Sequence, residues 1–539
     1  MNGSIIRKIL GYVLILEGAL LFLPCIVGLI YHESEYKTYL ICAVVTLAIG
    51  ALIAVKKTKN NVFYLKEGCT ATALSWIVLS VFGAVPFVLT GEISHFVDAL
   101  FETVSGFTTT GASILTDVEA LSHASLFWRS FTHWIGGMGV LVFLLAVVQM
   151  SGGSNMNLMR AESPGPSVGK LVPKMRYTAR ILYILYFALT VLEIVFLVCG
   201  DMPVFDAVTA SLGTAGTGGF GIKADSMASY STYVQWVITI FMALFGVNFN
   251  FYYFLIFRQF GKALKMEEVR AYFGVIIFST VAVVINTYHL FDNLSDAITH
   301  SAFQVASIIT TTGYSTVDFD MWPSFSKAIL VLLMFIGACA GSTGGGIKVS
   351  RFLVALKTVN KEIQSYLHPK NIKKITLDGK AVEHEILRST NVFIITYFVI
   401  FVFSMLVISI ENYDLVTNFT AVAATINNIG PGLELVGPSR NFGQFTDLSK
   451  LVLIFDMLAG RLELFPILLL FSPRLWIDTF KRKTLAKSVV IKIRRSFFYS
   501  FYDFMPQYHT SFAEHLLFSV HAPRGVLFVF LLVFLFCLE

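Results

Sequence analysis

Four short stretches of threonine and glycine are the residues of this chain best suited to chemistry, and that chemistry is coordination of an ion by oxygen. They are FETVSGFTTTGAS (Phe101 to Ser113), VTASLGTAGTGGFG (Val208 to Gly221), FQVASIITTTGYS (Phe303 to Ser315) and TAVAATINNIGPG (Thr420 to Gly432). Glycine lets a carbonyl turn through positive φ, and threonine adds hydroxyl and carbonyl oxygens that can replace an ion's water shell. The Thr/Gly runs themselves carry no Asp or Glu, which points to a monovalent ion held by dipoles and not to a divalent ion held by carboxylates. The first and third stretches match outright at Phe101/Phe303, Ser105/Ser307, Thr108 to Thr110/Thr310 to Thr312 and Gly111/Gly313. With Gly111, Gly218, Gly313 and Gly430 taken as equivalent, the spacings of 107, 95 and 117 residues mark an internal repeat. Ordinary small-residue helix packing accounts for one such stretch, but poorly for four in phase on one side.

The elements that must position these residues are membrane helices. Of 539 residues, 56% are hydrophobic and 14% charged, and the mean hydropathy is +0.73. That excludes a large soluble enzyme, because one core cannot absorb so much apolar surface. Apolar windows of spanning length fall at about 9–31, 38–55, 70–90, 126–150, 179–200, 232–257, 271–291, 328–340 with a continuation, 390–410 and 449–472, an expectation of ten crossings. With the N-terminus placed in the cytoplasm, thirty-two of the 40 Lys and Arg residues fall on the cytoplasmic side, while the outer loops are acidic. The net charge of +6 is not gathered on a soluble module, so nucleic acid is not expected as a partner. The six cysteines are scattered and read as packing residues.

Each repeat is thus a span, a short half-helix, a polar Thr/Gly stretch and a second span. Non-helical backbone at membrane depth is tolerated only inside protein or along a water-filled path, so four such stretches imply one shared path. Half-helices ending there would aim their negative dipole ends at the centre and favour a cation. In the third repeat the closing span AILVLLMFIGACA runs into GSTGGGIK (Gly341 to Lys348). Each glycine costs about 1 kcal/mol relative to alanine in a helix, so Gly341, Ser342, Thr343, Gly344, Gly345 and Gly346 should form an unwound segment within the membrane. It is not a phosphate-binding loop, since Ile347 separates the last glycine from Lys348. Arg461 lies in the final span, where an arginine costs at least about 2.5 kcal/mol and must face protein or water. A structural pair with Asp456 or Glu463 is the alternative to a barrier role. Glu17 and Glu193 also lie within spans, as proton or cation sites or as protonated or paired acids. Arg129 and His133 read as interface anchors.

Taken together, TTTGAS, GTGGF, TTTGYS and INNIGPG resemble the four filter loops of the TrkH/KtrB superfamily of potassium transporters. The two extra N-terminal helices make the resemblance closer to the TrkH branch, over about residues 5–480. It implies an all-α integral membrane fold: two N-terminal helices (1–66) and four pseudo-symmetric helix, pore-helix and helix units (67–160, 161–262, 263–370 and 371–480), leaving a tail (481–539) without an assigned role. Carried over by position, the filter is Thr110 and Gly111, Thr217 and Gly218, Thr312 and Gly313, and Asn428, Ile429 and Gly430, with Thr110, Thr217, Thr312 and Asn428 as K⁺ ligands. The Gly341 to Gly346 loop, Lys348 and Arg461 would be the gate. The resemblance further implies K⁺ as the permeant ion with no organic cofactor on this chain, and a homodimer in contact with lipid in the bacterial inner membrane. It also implies a cytosolic nucleotide-binding, TrkA-like regulatory subunit on a separate chain. Passive, channel-like uptake is the expected mechanism, and symport of K⁺ with H⁺ or Na⁺ through Glu17 or Glu193 is the alternative.

Overall fold

The computed structural model describes residues 2–56, 64–139, 175–369, 374–473 and 475. The chain divides into a large unit, Ser4–Ile467, and a small one composed of Met1–Gly3 and Leu468–Glu539. Almost all of the small unit, with the expected C-terminal tail, lies outside the described residues.

Among its described residues the large unit is helical, apart from a hairpin of two two-residue strands, β1 (Thr376–Leu377) and β2 (Lys380–Ala381). Helices α1 (Gly3–Leu20), α2 (Phe22–Ile30) and α3 (Tyr36–Val55) come first. Four repeats follow. The first is α4 (Leu65–Thr90), α5 (Phe96–Phe107) and α6 (His123–Gly137). The second is α7 (Met175–Cys199), α8 (Val204–Gly216), α9 (Thr232–Phe245) and α10 (Phe249–Ile256). After a short α11 (Phe260–Ala263), the third is α12 (Glu267–Thr287), α13 (Leu294–Ile309), α14 (Ser324–Ile336) and α15 (Val349–Leu367). The fourth is α16 (His384–Ile408), α17 (Leu415–Ile426), α18 (Asp447–Arg461) and α19 (Phe465–Leu470).

Polar side chains start several of these helices where the chain turns back. Ser122 accepts from Ser125 N, Ser231 from Val234 N and Asp414 from Thr417 N, each satisfying an N–H that a helix start leaves free. The half-helices α5, α8, α13 and α17 have 12, 13, 16 and 12 residues, hence lengths of about 18–24 Å, too short to cross the membrane. Each packs against its own two flanking helices and against the closing helix of the preceding repeat: α8 on α6, α13 on α9, α17 on α14, and α5 on α18. That last contact closes the circle.

The first helix of each repeat is long and apolar enough to span, as are α1–α2 and α3, giving six such spans among the described residues. The closing helices depart from the ten-crossing expectation. In the window 232–257 the chain bends by 92° between α9 and α10. In the other closing windows α14 stops at Ile336 and α18 at Arg461, while α6 is described only to Gly137, with residues 140–174 outside the described set. Sequence periodicity anticipated a break in the third repeat alone. The others coincide with glycines packed on the end of a neighbouring half-helix: a Cβ at Gly136 would strike Phe107 O and one at Gly460 would strike Ile426 O.

α1 and α3 meet through glycines. A Cβ at Gly11 would lie 2.8 Å from Ala54 N, one at Gly18 2.7 Å from Leu47 N and one at Gly50 2.7 Å from Ile15 N. Backbones that approach this closely tolerate no larger residue. Gly18→Leu is therefore expected to destabilise the protein by about 1–3 kcal/mol, read as a lowered thermal midpoint in detergent; an unchanged midpoint would rule out this packing.

Candidate functional site

Each half-helix ends in the same cap. The residues Thr109, Thr217, Thr311 and Asn428 are left-handed, with φ of 55°, 55°, 61° and 56°. Their N–H groups bond three residues back, to Gly106, Thr214, Ile308 and Thr425. The next residues, Thr110, Gly218, Thr312 and Ile429, bond five residues back, to Ser105, Gly213, Ser307 and Ala424, at 2.8–2.9 Å. This is the Schellman pattern, built four times with a residue other than glycine in the left-handed position. A glycine with positive φ follows each time: Gly111, Gly219, Gly313 and Gly430.

These glycines close a ring. A Cβ at Gly111 would strike the carbonyl oxygen of Gly218, one at Gly219 that of Thr312, and one at Gly313 that of Ile429; at Gly430 it would lie 2.8 Å from the oxygen of Thr110. Every loop thus presses its glycine on the carbonyl of the next, and the fourth returns to the first. The four carbonyls of Thr110, Gly218, Thr312 and Ile429 accept no hydrogen bond among the described residues. Alternating φ signs, four negative helix ends and unpaired carbonyls at one centre are the physical requirements of a dehydrated monovalent cation.

The register of the second loop differs from the sequence expectation. Gly219, not Gly218, is the equivalent of Gly111, Gly313 and Gly430, and the spacings become 108, 94 and 117 residues. Thr217 and Asn428 therefore match Thr109 and Thr311, one step from the level of Thr110 and Thr312. The run Thr-Gly-Gly contains two candidate glycines, and only the cap's bonding separates them. Hydroxyls serve largely as braces: Thr110 Oγ1 lies 2.8 Å from Thr108 Oγ1 and receives Asn428 Nδ2 at 2.9 Å, and Thr312 Oγ1 lies 2.8 Å from Thr310 Oγ1.

Arg129 and His133 are not interface anchors; both are buried, at 2% and 0% exposure, behind the first two loops. Arg129 pairs with buried Glu102 at 2.7 Å, lies 4.1 Å from the centre of the Phe220 ring and donates to Gly221 O. Glu102 accepts from Ser113 Oγ and Ile114 N just past the first loop. His133 bonds Gly106 O through Nδ1 at 2.8 Å and accepts Phe220 N through Nε2 at 3.2 Å, which sets one neutral tautomer. This scaffold was missed because its members lie in separate helices; the one signal was a charged pair, Glu102 and Arg129, inside apolar stretches.

The unwound segment between α14 and α15 lies against the ring. Gly345 N donates to Thr311 Oγ1 at 2.6 Å and Gly346 N to Asn427 O at 3.0 Å. A Cβ at Gly344 would be 2.7 Å from Thr310 O. Ser342 Oγ donates to Cys339 O, Thr343 Oγ1 to Phe245 O, and Lys348 Nζ to Gly344 O. Arg461 donates to Thr343 O at 2.9 Å, to Gly137 O at 2.8 Å and to Gly136 O, joining the third, fourth and first repeats. Of its two expected acid partners, Glu463 pairs with Arg351, and Asp456 accepts Ser404 Oγ at 2.7 Å.

The family model for TrkH, described as cation transport protein, matches residues 36–480. The chain belongs to the TrkH family. It is 35% identical to the Trk system potassium uptake protein TrkH of Salmonella typhimurium over 486 residues, covering 88% of this chain and all of that protein. It is 34% identical to TrkG of Escherichia coli K12 over 485 residues, with the same coverage. The crystal structure of the potassium transporter TrkH from Vibrio parahaemolyticus matches with a TM-score of 0.79 and 32% identity over 88% of this chain and all of that one. The TrkH family match thus takes in all four repeats.

Within this TrkH-family scaffold, removing one partner of the Arg129–Glu102 pair leaves a buried charge. Arg129→Met is expected to lower stability by about 3–5 kcal/mol, and adding Glu102→Gln should restore much of it. Thermal unfolding of the two variants in detergent measures this, and additive losses would contradict the pairing.

Proposed function

We propose that this chain is the membrane subunit of a potassium uptake system, conducting K⁺ passively through the ring of Thr110, Gly218, Thr312 and Ile429 carbonyls with their neighbouring glycines. The observation that carries this reading is the closed cycle of glycine on carbonyl among four loops. Nothing about oxygen ligation needs a side-chain acid, and the one acid in the loops, Glu102, is held by Arg129 behind them. The names of the matching relatives, potassium uptake proteins, support K⁺ as the ion.

The Gly341 to Gly346 segment is the gate on this reading. It lies against the loops through Thr311 and Asn427, and Arg461 and Lys348 place two positive charges beside it. A cation leaving the ring meets both a backbone plug and like charge. The protein works as a homodimer in the inner membrane, in contact with lipid, with its N-terminus and basic loops in the cytoplasm. A separate cytosolic nucleotide-binding subunit moves the gate. The units bounded at 67, 161, 263, 371 and 480 are the four quarters of the pathway.

Coupled symport is the second reading. It is favoured by Glu17 and Glu193, which are 1% and 0% exposed within spanning helices. A reversal potential that shifts with the pH or Na⁺ gradient would select it, and one set by K⁺ alone would exclude it.

Uptake of ⁸⁶Rb⁺ and ²²Na⁺ into sealed liposomes tests the main reading. Removal of Gly341 to Gly346 should raise Rb⁺ flux at least about tenfold, since a 1.4 kcal/mol change in gating already gives that factor. Rb⁺ should exceed Na⁺, and Gly313→Asp should alter that ratio. Absence of flux in the loop-deleted protein would refute the proposal. Arg461→Ala should raise Rb⁺ flux without changing the Rb⁺/Na⁺ ratio, because Arg461 bonds the gate segment and the end of α6, and not the ring carbonyls.

A further inference from the structure

The gate segment has a neck, and one carboxylate holds it. Glu268, the second residue of α12, is 6% exposed. Its Oε1 accepts Ala340 N at 2.6 Å on the way into the segment and Ser350 N at 3.2 Å on the way out. Its Oε2 lies 3.5 Å from Nδ2 of Asn248, in the break between α9 and α10. The entry strand is fastened to that same break: Cys339 N donates to Gly246 O at 3.1 Å and Phe249 N to Gly341 O at 3.0 Å. A single oxygen therefore draws together the two ends of an irregular loop, and the same side chain reaches the preceding repeat.

We propose that Glu268 is the positioning residue of the gate, latching both ends of the Gly341 to Gly346 segment so that it rests against the four-loop ring. The inference rests on the reading of that segment as a gate. Backbone N–H groups inside a membrane protein need acceptors, and loop ends pinned to one atom define where the loop can lie. Ala340 N–H and Ser350 N–H, like those of Gly345 and Gly346 against the ring, would have to find other partners for the segment to leave. A charged acceptor makes such bonds roughly twice as strong as a neutral one, so a carboxylate here favours the resting position more than an amide would. A ligand or partner that opens the pathway acts against this latch.

Glu267, one residue earlier, faces different partners. It accepts Asp378 N at 3.1 Å and pairs with Lys357, while its own N–H donates to Asp378 Oδ1 at 2.7 Å. It thus fastens the β1–β2 hairpin and the middle of α15 to the same helix turn without touching the neck, which makes it the control.

The test is basal ⁸⁶Rb⁺ and ²²Na⁺ uptake into liposomes by the full chain alone, comparing wild type, Glu268→Gln, Glu267→Gln and the protein lacking Gly341 to Gly346. Glu268→Gln keeps the shape and weakens the acceptor, so basal Rb⁺ flux should rise about five- to twentyfold toward that of the loop-deleted protein. The Rb⁺/Na⁺ ratio should stay at the wild-type value, which general damage to the pathway would not preserve. Glu267→Gln should leave flux unchanged. Ser350→Pro offers a second route to the same result: it deletes one of the two N–H groups at a first-turn position that tolerates proline. Wild-type basal flux in both Glu268→Gln and Ser350→Pro, while the loop-deleted protein conducts, would overturn the latch and leave the gate reading intact. An equal rise in Glu267→Gln would also overturn it. A silent loop-deleted protein would instead remove the gate reading, and the latch with it.

Discussion

The structure depends on one constraint: a backbone carbonyl inside a membrane must be paired or must face something positive. The four caps consume the N–H groups of Thr110, Gly218, Thr312 and Ile429 by bonding them back into their half-helices. The carbonyls of these same residues are left over. Placing four of them together is repulsive unless a cation is shared, and only glycine on each neighbouring loop allows the close approach, because any Cβ would occupy the oxygen's place. The left-handed threonines and asparagine store strain of order 1–3 kcal/mol each, which persists where the surroundings hold it. Here the surroundings are the braces among Thr108, Thr110 and Asn428 and the Arg129, Glu102 and His133 scaffold.

Breaks in the closing helices follow from the same constraint. A half-helix that ends at the centre must pass the helix beside it, and glycines mark the crossing. A Cβ at Gly136 would strike Phe107 O, and one at Gly460 would strike Ile426 O; these two carbonyls are equivalent positions, two residues before the left-handed cap. Gly246 meets Thr310 and the Tyr272 hydroxyl in the same way. Gly337, at φ +70°, lets the chain turn out of α14 against Gly345 and Gly346. The closing helices that stop at this crossing leave carbonyls and N–H groups that need partners. Arg461 supplies donors for Gly136, Gly137 and Thr343, and Glu268 supplies the acceptor for Ala340 and Ser350.

Charge is therefore used sparingly and in fixed places. The Arg129–Glu102 pair is sealed behind the first two loops, and Arg351 pairs with Glu463 while stacking 3.9 Å from the Phe393 ring centre. Both pairs make hydrogen bonds beyond their own contact, Arg129 to Gly221 O and Arg351 to Ile347 O, which a buried ion pair requires to offset its lost hydration. Lys348 and Arg461 instead spend their donors on backbone carbonyls, Lys348 on Gly344 and Arg461 on Thr343, Gly136 and Gly137, so their positive charge stays beside the Gly341 to Gly346 segment.

The sequence alone determined what periodicity and composition can carry: an all-α membrane protein, spanning helices where apolar runs are long, four related Thr/Gly loops, and an unwound Gly341 to Gly346 segment. Local chemistry suffices for these, since hydropathy sets burial in lipid and glycine runs forbid helix. It did not determine the register of the second loop, where Gly218 and Gly219 are equally plausible until the five-residue-back bond singles out Gly219. Nor could it pair Glu102 with Arg129, bring Arg461 to Gly136 and Thr343, or set Glu268 between Ala340 and Ser350, because these partners lie 27 to more than 300 residues apart. Such contacts exist only once four repeats close into a circle. Closure is a property of how the helices pack around a centre, and no single stretch of chain contains it.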